Sequence, residues 1–129
     1  MVWTIANAVM LLAFTFSAVV QINDPDPWPW IAIYAAAAVL SAIEIRRRAH
    51  WWAAAVVGGA ALVWAATIAP RVIGAVPFVE MFAEFEMKDL GVEESREMYG
   101  LLFVAAWMAA IAVRSRSRAK SAEHHAGVA

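Results

Sequence analysis

Four long apolar segments constrain this chain more than any other feature. An α-helix rises about 1.5 Å per residue, so about 20 apolar residues cross a hydrocarbon core about 30 Å thick. A water-soluble protein that buried four such helices would need far more than these 129 residues. The sequence therefore predicts an all-α integral membrane protein, a four-transmembrane-helix bundle. Its spans are expected at about residues 2–22, 28–45, 51–69 and 96–113.

Composition agrees with this class and excludes several kinds of chemistry. Hydrophobic residues make up 64% of the chain, which does not suit a soluble surface. The chain contains no cysteine, which excludes disulfides, thiol catalysis and cysteine-ligated zinc or iron–sulfur sites. The first apolar segment lacks the basic start of a signal peptide and is longer than a signal peptide's apolar region. It is therefore interpreted as a span.

The basic residues predict the orientation of the bundle. The second loop, Ile45–His50, and the segment Arg114–Lys120 together hold seven of the ten Lys and Arg residues. Short basic loops stay on the cytoplasmic side, whereas loops one and three are acidic. The sequence thus predicts a multi-pass membrane domain over residues 1–114 with both termini cytoplasmic, in a bacterial inner membrane. Residues 115–129 are expected to form a disordered basic cytoplasmic tail.

The third loop contains a segment too polar to span. Between residues 77 and 90, Phe78, Met81, Phe82 and Phe85 recur at i, i+3, i+4 and i+7. This spacing predicts an amphipathic extracytoplasmic surface helix that lies in the membrane interface. Such a helix could be a lid over the bundle or a gate above a site, and the spacing alone does not separate the two.

The first loop, QINDPDPW, carries more polar groups than a simple connection needs. Helix initiation explains Asp26 as an N-cap and Pro27 as the first helical residue. It leaves Gln21, Asn23 and Asp24 unexplained. Asn23, Asp24 and Asp26 offer several oxygen atoms that suit a hard cation such as Ca²⁺, although the spacing is not that of an EF-hand loop.

A second polar cluster, EESREMYGL, opens the fourth span. Helix capping alone could account for its acids, which the helix dipole favours. Charges close to the membrane nevertheless need partners. The topology places Asp24 and Asp26 at the same membrane surface, so Arg96 is expected to pair with one of them. Four residues of the cluster share one helix face: Glu93, Arg96, Glu97 and Gly100. Gly100 is expected to let a neighbouring helix or loop come close.

Both clusters resemble motifs of one family. QINDPDPW, followed by Tyr34, resembles the first-loop motif of the transmembrane protein 220 family. EESREMYGL, followed by Trp107, is similar to the family's motif at the start of a later outward-facing helix. The spans between them match only in hydrophobicity. The resemblance implies a small multi-span membrane protein, for which it supplies no established biochemical activity.

Three functions are open for the two clusters. The leading hypothesis is a structural clasp of Asp24, Asp26, Arg96 and Glu97 that joins spans one, two and four. The second is a site for a divalent cation such as calcium, or for a small polar ligand, with Asp24, Asp26 and Glu97 as candidate metal ligands. The third, a membrane enzyme using Glu94 or Glu97 as acid or base, is disfavoured because no further catalytic motif accompanies these acids. The full candidate set is Gln21, Asn23, Asp24, Asp26, Glu93, Glu94, Arg96 and Glu97.

Few partners are predicted beyond the lipid bilayer. Gly58 and Gly59 form a small-residue face that could support a homo-oligomer. Nucleic acid is not expected, because the Ser/Arg-rich tail is interpreted as a topogenic signal. Glu44 is expected to pair with the neighbouring Arg46–Arg48.

Overall fold

The computed structural model describes residues 1–73 and 90–128, with the side chains of residues 90–92 left out. Both ranges are almost entirely helical and contain no strand. Each helix is long and apolar enough to cross a membrane, which confirms the predicted fold class. The helices are α1 (Val2–Val20), α2 (Pro27–Ile45), α3 (Trp51–Val72) and α4 (Leu90–Val128), with a single 3₁₀ turn at Gln21–Asn23 after α1.

The predicted surface helix at residues 77–90 lies outside the described residues, except that Leu90 begins α4. The amphipathic spacing of its phenylalanines therefore stays a prediction. The α3 helix runs three residues beyond the predicted span end and contains Pro70 in its last turn. Proline is tolerated this close to a helix end, where few backbone bonds remain to be lost.

The bundle consists of two helix pairs. α1 packs along α2, and α3 packs along α4, while α2 makes smaller contacts with α3 and α4. Large aromatic side chains join α1 to α4 across the bundle. The rings of Trp3 and Trp107 stack with their centroids 5.2 Å apart, and Phe14 meets Phe103 edge-on at 6.1 Å. These contacts close the core between the two pairs.

Small residues bring α3 and α4 close together. A Cβ atom added to Gly58 would lie 2.9 Å from Cβ of Met108, so the two backbones approach where a side chain would not fit. Gly59 faces open space. Gly58 therefore packs against α4 of the same chain. Of the two glycines predicted to form an oligomer face, only Gly59 is left open for such a contact. Three alanines share the buried face of α3 with Gly58: Ala54, Ala61 and Ala65.

A polar cluster ties three helices together at the end of the bundle that holds the N-terminus. The carboxylate of Glu44 is fully buried and accepts hydrogen bonds from both terminal nitrogens of Arg118, at 2.6 and 2.7 Å. The indole N–H of Trp3 donates to the same carboxylate at 3.0 Å. These bonds connect α1, α2 and α4.

The expected pairing of Glu44 with Arg46–Arg48 is wrong. Glu44 lies on the buried face of α2, one turn from the buried Ser41, whereas the arginines follow the end of that helix. Arg47 adopts a positive φ of 54°, and the N–H of Arg48 bonds back to the carbonyl of Ile43. This turn closes α2 and carries the arginines onto the exposed surface.

The tail that the sequence predicts to be disordered is helical in the structure, where α4 continues to Val128. Its alanine, arginine, lysine and glutamate residues have high helix propensity, and contacts hold its first turns. Ser115 is buried, Arg114 lies over the Trp3 ring at 4.7 Å, and Arg116 lies over the Trp51 ring at 5.1 Å. From residue 119 onward the helix is exposed.

Candidate functional site

A polar cavity of about 430 Å³ lies at the end of the bundle opposite Glu44. Its walls come from the end of α1, the first loop, one residue of α2 and the start of α4. The two clusters singled out in the sequence therefore meet at one place. The polar side chains in its lining are Ser17, Gln21, Asn23, Asp24, Tyr34, Glu93, Arg96 and Glu97.

The first loop is folded so that Asp24 faces this cavity. The N–H of Asp24 bonds to the carbonyl of Gln21 at 3.0 Å, and Asp24 itself is extended, as expected before Pro25. Oδ1 of Asp24 then accepts the backbone N–H of Asp26 at 3.0 Å. One carboxylate oxygen therefore fixes the turn, and the other makes no hydrogen bond within the described ranges.

Three carboxylates converge on this cavity. One oxygen from each of Asp24, Glu93 and Glu97 lies within 4.8 Å of the other two. Glu93 and Glu97 are one turn apart on α4, so they present their side chains to the first loop together. Like charges this close repel each other unless a cation or a bound proton neutralises them. The arrangement is therefore one that can hold a cation.

Arg96 lines the same cavity but does not neutralise the cluster. Among the residues with described side chains, Arg96 forms no salt bridge, so the predicted pairing with Asp24 or Asp26 is absent. The orientation of α4 explains this, because it brings Glu93 and Glu97 rather than Arg96 up to Asp24. Arg96 is exposed.

Two predicted site residues lie outside the cavity lining. Asp26 is exposed at the N-cap position of α2, where its side chain forms no cap bond, and Pro27 begins the helix as predicted. Glu94 instead forms a salt bridge with Arg71, whose Nε lies 3.0 Å from its carboxylate. Sequence reasoning missed this partner. An arginine at the loop end of α3, facing an acidic helix start, was the signal that could have revealed it.

Tyr34 and Gly100 bring α2 and α4 close together near the cavity. Tyr34 is buried, and a Cβ atom on Gly100 would overlap its hydroxyl group. This confirms the expectation that Gly100 allows a neighbouring element to approach closely. The contact also positions the phenol ring in the wall of the cavity.

The sequence is similar to those of known membrane proteins. The sequence profile described as "Transmembrane family 220, helix" matches residues 13–113. This chain belongs to that family. The Transmembrane protein 220 of Xenopus laevis is 32% identical over 112 residues, which cover 82% of this chain and 56% of the relative. The chain thus spans little more than half of the relative's length. No solved structure matches.

The family match confirms a multi-pass membrane protein and includes the whole cavity. Every cavity-lining residue falls between Phe16 and Glu97, inside the matched range. The partners of Glu44, in contrast, lie outside the matched range, because Trp3 precedes it and Arg118 follows it. The cavity can therefore be considered a feature of the matched region, and the Glu44 cluster one that depends on both ends of this chain.

Proposed function

We propose that the polar cavity binds a cation through Asp24, Glu93 and Glu97. The observation that carries this proposal is the convergence of three carboxylate oxygens within 4.8 Å. Ca²⁺ binds oxygen ligands at about 2.3–2.6 Å, so two ligands of one ion lie within about 5 Å of each other. The spacing therefore suits a hard divalent cation with little movement of the side chains.

The volume of the cavity, about 430 Å³, exceeds that of a single ion. Gln21 and Asn23 add amide oxygens and N–H groups beside the carboxylates, and Arg96 adds a guanidinium. Ca²⁺ takes six to eight oxygen ligands, as a rule including waters or carbonyls besides carboxylates. A small polar ligand or ordered waters beside the ion would complete its coordination.

A structural clasp is the second candidate function, and it is supported by the salt bridge between Arg71 and Glu94. That bridge joins α3 to α4 at the same end of the bundle, with 62% of the arginine and 30% of the glutamate side chain exposed. Exposed ion pairs contribute only about 0–1 kcal/mol to stability. A clasp of this kind leaves the repulsion among the three carboxylates unexplained, so cation binding is preferred. No catalytic residue is proposed.

The predicted orientation of the bundle places the cavity on the outer side of the membrane. With both termini in the cytoplasm, as the basic loop and tail favour, the carboxylates open to the extracytoplasmic side. The matched relative is a frog protein. The bacterial inner membrane and a homo-oligomer through the Gly59 face stay predictions from sequence.

Thermal unfolding of the purified protein in detergent tests cation binding. Titration with Ca²⁺, Mg²⁺ or Mn²⁺ should raise the melting temperature, because a ligand that binds only the folded state stabilises it by about 2.7 kcal/mol at 100 times its Kd. Asp24→Asn, Glu93→Gln and Glu97→Gln should each reduce this rise.

The chain offers two matched controls. Asp26→Asn and Glu94→Gln each remove one nearby negative charge without touching the three converging oxygens, so the rise should persist in both. If no divalent cation raises the melting temperature, or if Glu97→Gln responds like the wild type, the cation site is excluded. If Glu94→Gln lowers the melting temperature equally with and without cation, the clasp is supported instead.

A further inference from the structure

An apolar groove of about 390 Å³ runs along the membrane-facing side of the α1–α2 pair. Nine residues of these two helices and Ile22 of the 3₁₀ turn line it, and Thr15 is the only one of them with a polar side chain. On α2 the lining recurs at Ile31, Ala35, Ala38 and Ala42, and the three alanines give the groove its depth. The groove is therefore an elongated apolar channel that follows the helix axis.

The length of this groove matches a single acyl chain. From Ile31 to Ala42 the helix rises about 16 Å, at about 1.5 Å per residue. One leaflet of a hydrocarbon core about 30 Å thick measures about 15 Å. A lipid tail lying along α2 would fill the groove from one end to the other.

The groove continues into a second cavity that is bounded by arginines. This cavity, of about 520 Å³, shares Val39 and Ala42 with the groove and ends at Arg46 and Arg48. An apolar channel and a basic mouth are thus continuous at the end of the bundle where Glu44 is buried. An anionic phospholipid has a matching arrangement, with apolar acyl chains that suit the groove and a negatively charged head group that suits the arginines.

The charges at this mouth are available for a ligand. Arg46 and Arg48 are exposed, and neither forms an ion pair within the part of the chain that the structure describes. The arginines at the start of the tail are already occupied by this chain's own groups. They contact Trp3, Trp51 and Glu44 through Arg114, Arg116 and Arg118, respectively.

From this continuity we infer that the α1–α2 groove binds one anionic phospholipid. Its phosphate lies between Arg46 and Arg48, and one acyl chain lies along Ala42, Ala38 and Ala35. Arginine pairs with phosphate through two parallel hydrogen bonds, and basic sites beside transmembrane helices favour anionic head groups. A second copy of the chain is disfavoured as occupant, because two sets of loop arginines would repel each other across a symmetric interface.

Native mass spectrometry and thermal unfolding in a neutral detergent test this proposal. Phosphatidylglycerol should remain bound and raise the melting temperature, whereas phosphatidylcholine with the same acyl chains should do neither at equal concentration. The double substitution Arg46→Gln/Arg48→Gln should weaken phosphatidylglycerol binding about tenfold or more, since each arginine near an anionic group contributes about 1 kcal/mol. Ala35→Leu, which fills the groove without changing charge, should also weaken it.

A charge-matched control separates the site from general surface charge. Arg47→Gln/Lys120→Gln removes two positive charges outside the groove lining and should leave lipid retention unchanged. Soluble glycerol phosphate, which lacks acyl chains, should not raise the melting temperature. Equal retention of both lipids, an equal loss in the control pair, a full response to glycerol phosphate, or a lipid-free dimer would each overturn the proposal.

Discussion

Glu44 and Arg118 stand 74 residues apart in the sequence and share two hydrogen bonds of 2.6 and 2.7 Å. The carboxylate is fully buried, and the guanidinium is partly exposed at the side of the bundle. Because a buried charge is costly without a partner, this contact fixes the rotation of α4 relative to α2. It also explains why helix α4 stays packed beyond the end of the apolar segment.

Removing the arginine should destabilise the bundle strongly. Arg118→Ala would leave Glu44 buried and charged, and loss of one partner of a buried pair costs about 3 kcal/mol or more. Denaturant-induced or thermal unfolding in detergent would measure the change. Lys120→Ala, which removes an exposed positive charge two residues further along α4, should change stability by less than about 0.5 kcal/mol. An equal loss in both variants would contradict the assigned partner.

The indole of Trp3 should contribute separately through its N–H group. Trp3→Phe keeps an aromatic ring that can stack on Trp107 but removes the donor to Glu44, and hydrogen bonds to charged groups contribute about 1.5–3 kcal/mol. We expect a loss at the lower end of this range, because Arg118 still bonds to the carboxylate. Trp28→Phe is the matched control, since Trp28 is 77% exposed. Equal unfolding curves for the two variants would count against the hydrogen bond.

Two glycines should respond in opposite ways to the same substitution. Gly100→Ala would place a methyl group on the hydroxyl of Tyr34 and should cost about 1–3 kcal/mol, as overpacking does elsewhere. Gly59→Ala meets nothing within 4 Å and should be neutral or stabilise the helix by up to about 1 kcal/mol. Unfolding of both variants, with Tyr34→Phe/Gly100→Ala as a partial rescue, checks the contact. A neutral Gly100→Ala would refute it.

Replacing one carboxylate of the cavity with an amide should raise the stability of the protein without a divalent cation and lower it when the cation is present. In EDTA, Glu97→Gln should stabilise the protein by about 0.5 kcal/mol, because it removes repulsion from Glu93 one turn away and from Asp24. In saturating Ca²⁺ the wild type should become the more stable protein, since the variant has lost a ligand. Melting temperatures under the two conditions should therefore cross. Destabilisation in EDTA would show that the three groups are not ionised together.

The local sequence determined which segments span the membrane, where the first loop turns and where two helices can approach closely. The four apolar segments, the proline-restricted turn at Asp24 and the close approach at Gly100 all follow from properties of neighbouring residues. Hydrophobic length, backbone restriction and the absence of a Cβ atom act over a few residues, so their consequences can be predicted without the fold. Because two spans, the second and the third, separate the two motifs, both were expected at one end of the bundle. The structure brings them around one cavity there.

Only the tertiary structure decided which charges meet. Glu44 pairs with Arg118 rather than with the adjacent arginines, Glu94 pairs with Arg71, and Glu93 and Glu97 approach Asp24 in place of Arg96. These outcomes depend on how each helix is rotated about its axis and on the pairing of α1 with α2 and α3 with α4. A rotation of 100° per residue changes which side chain faces a neighbour, and long-range packing sets that rotation.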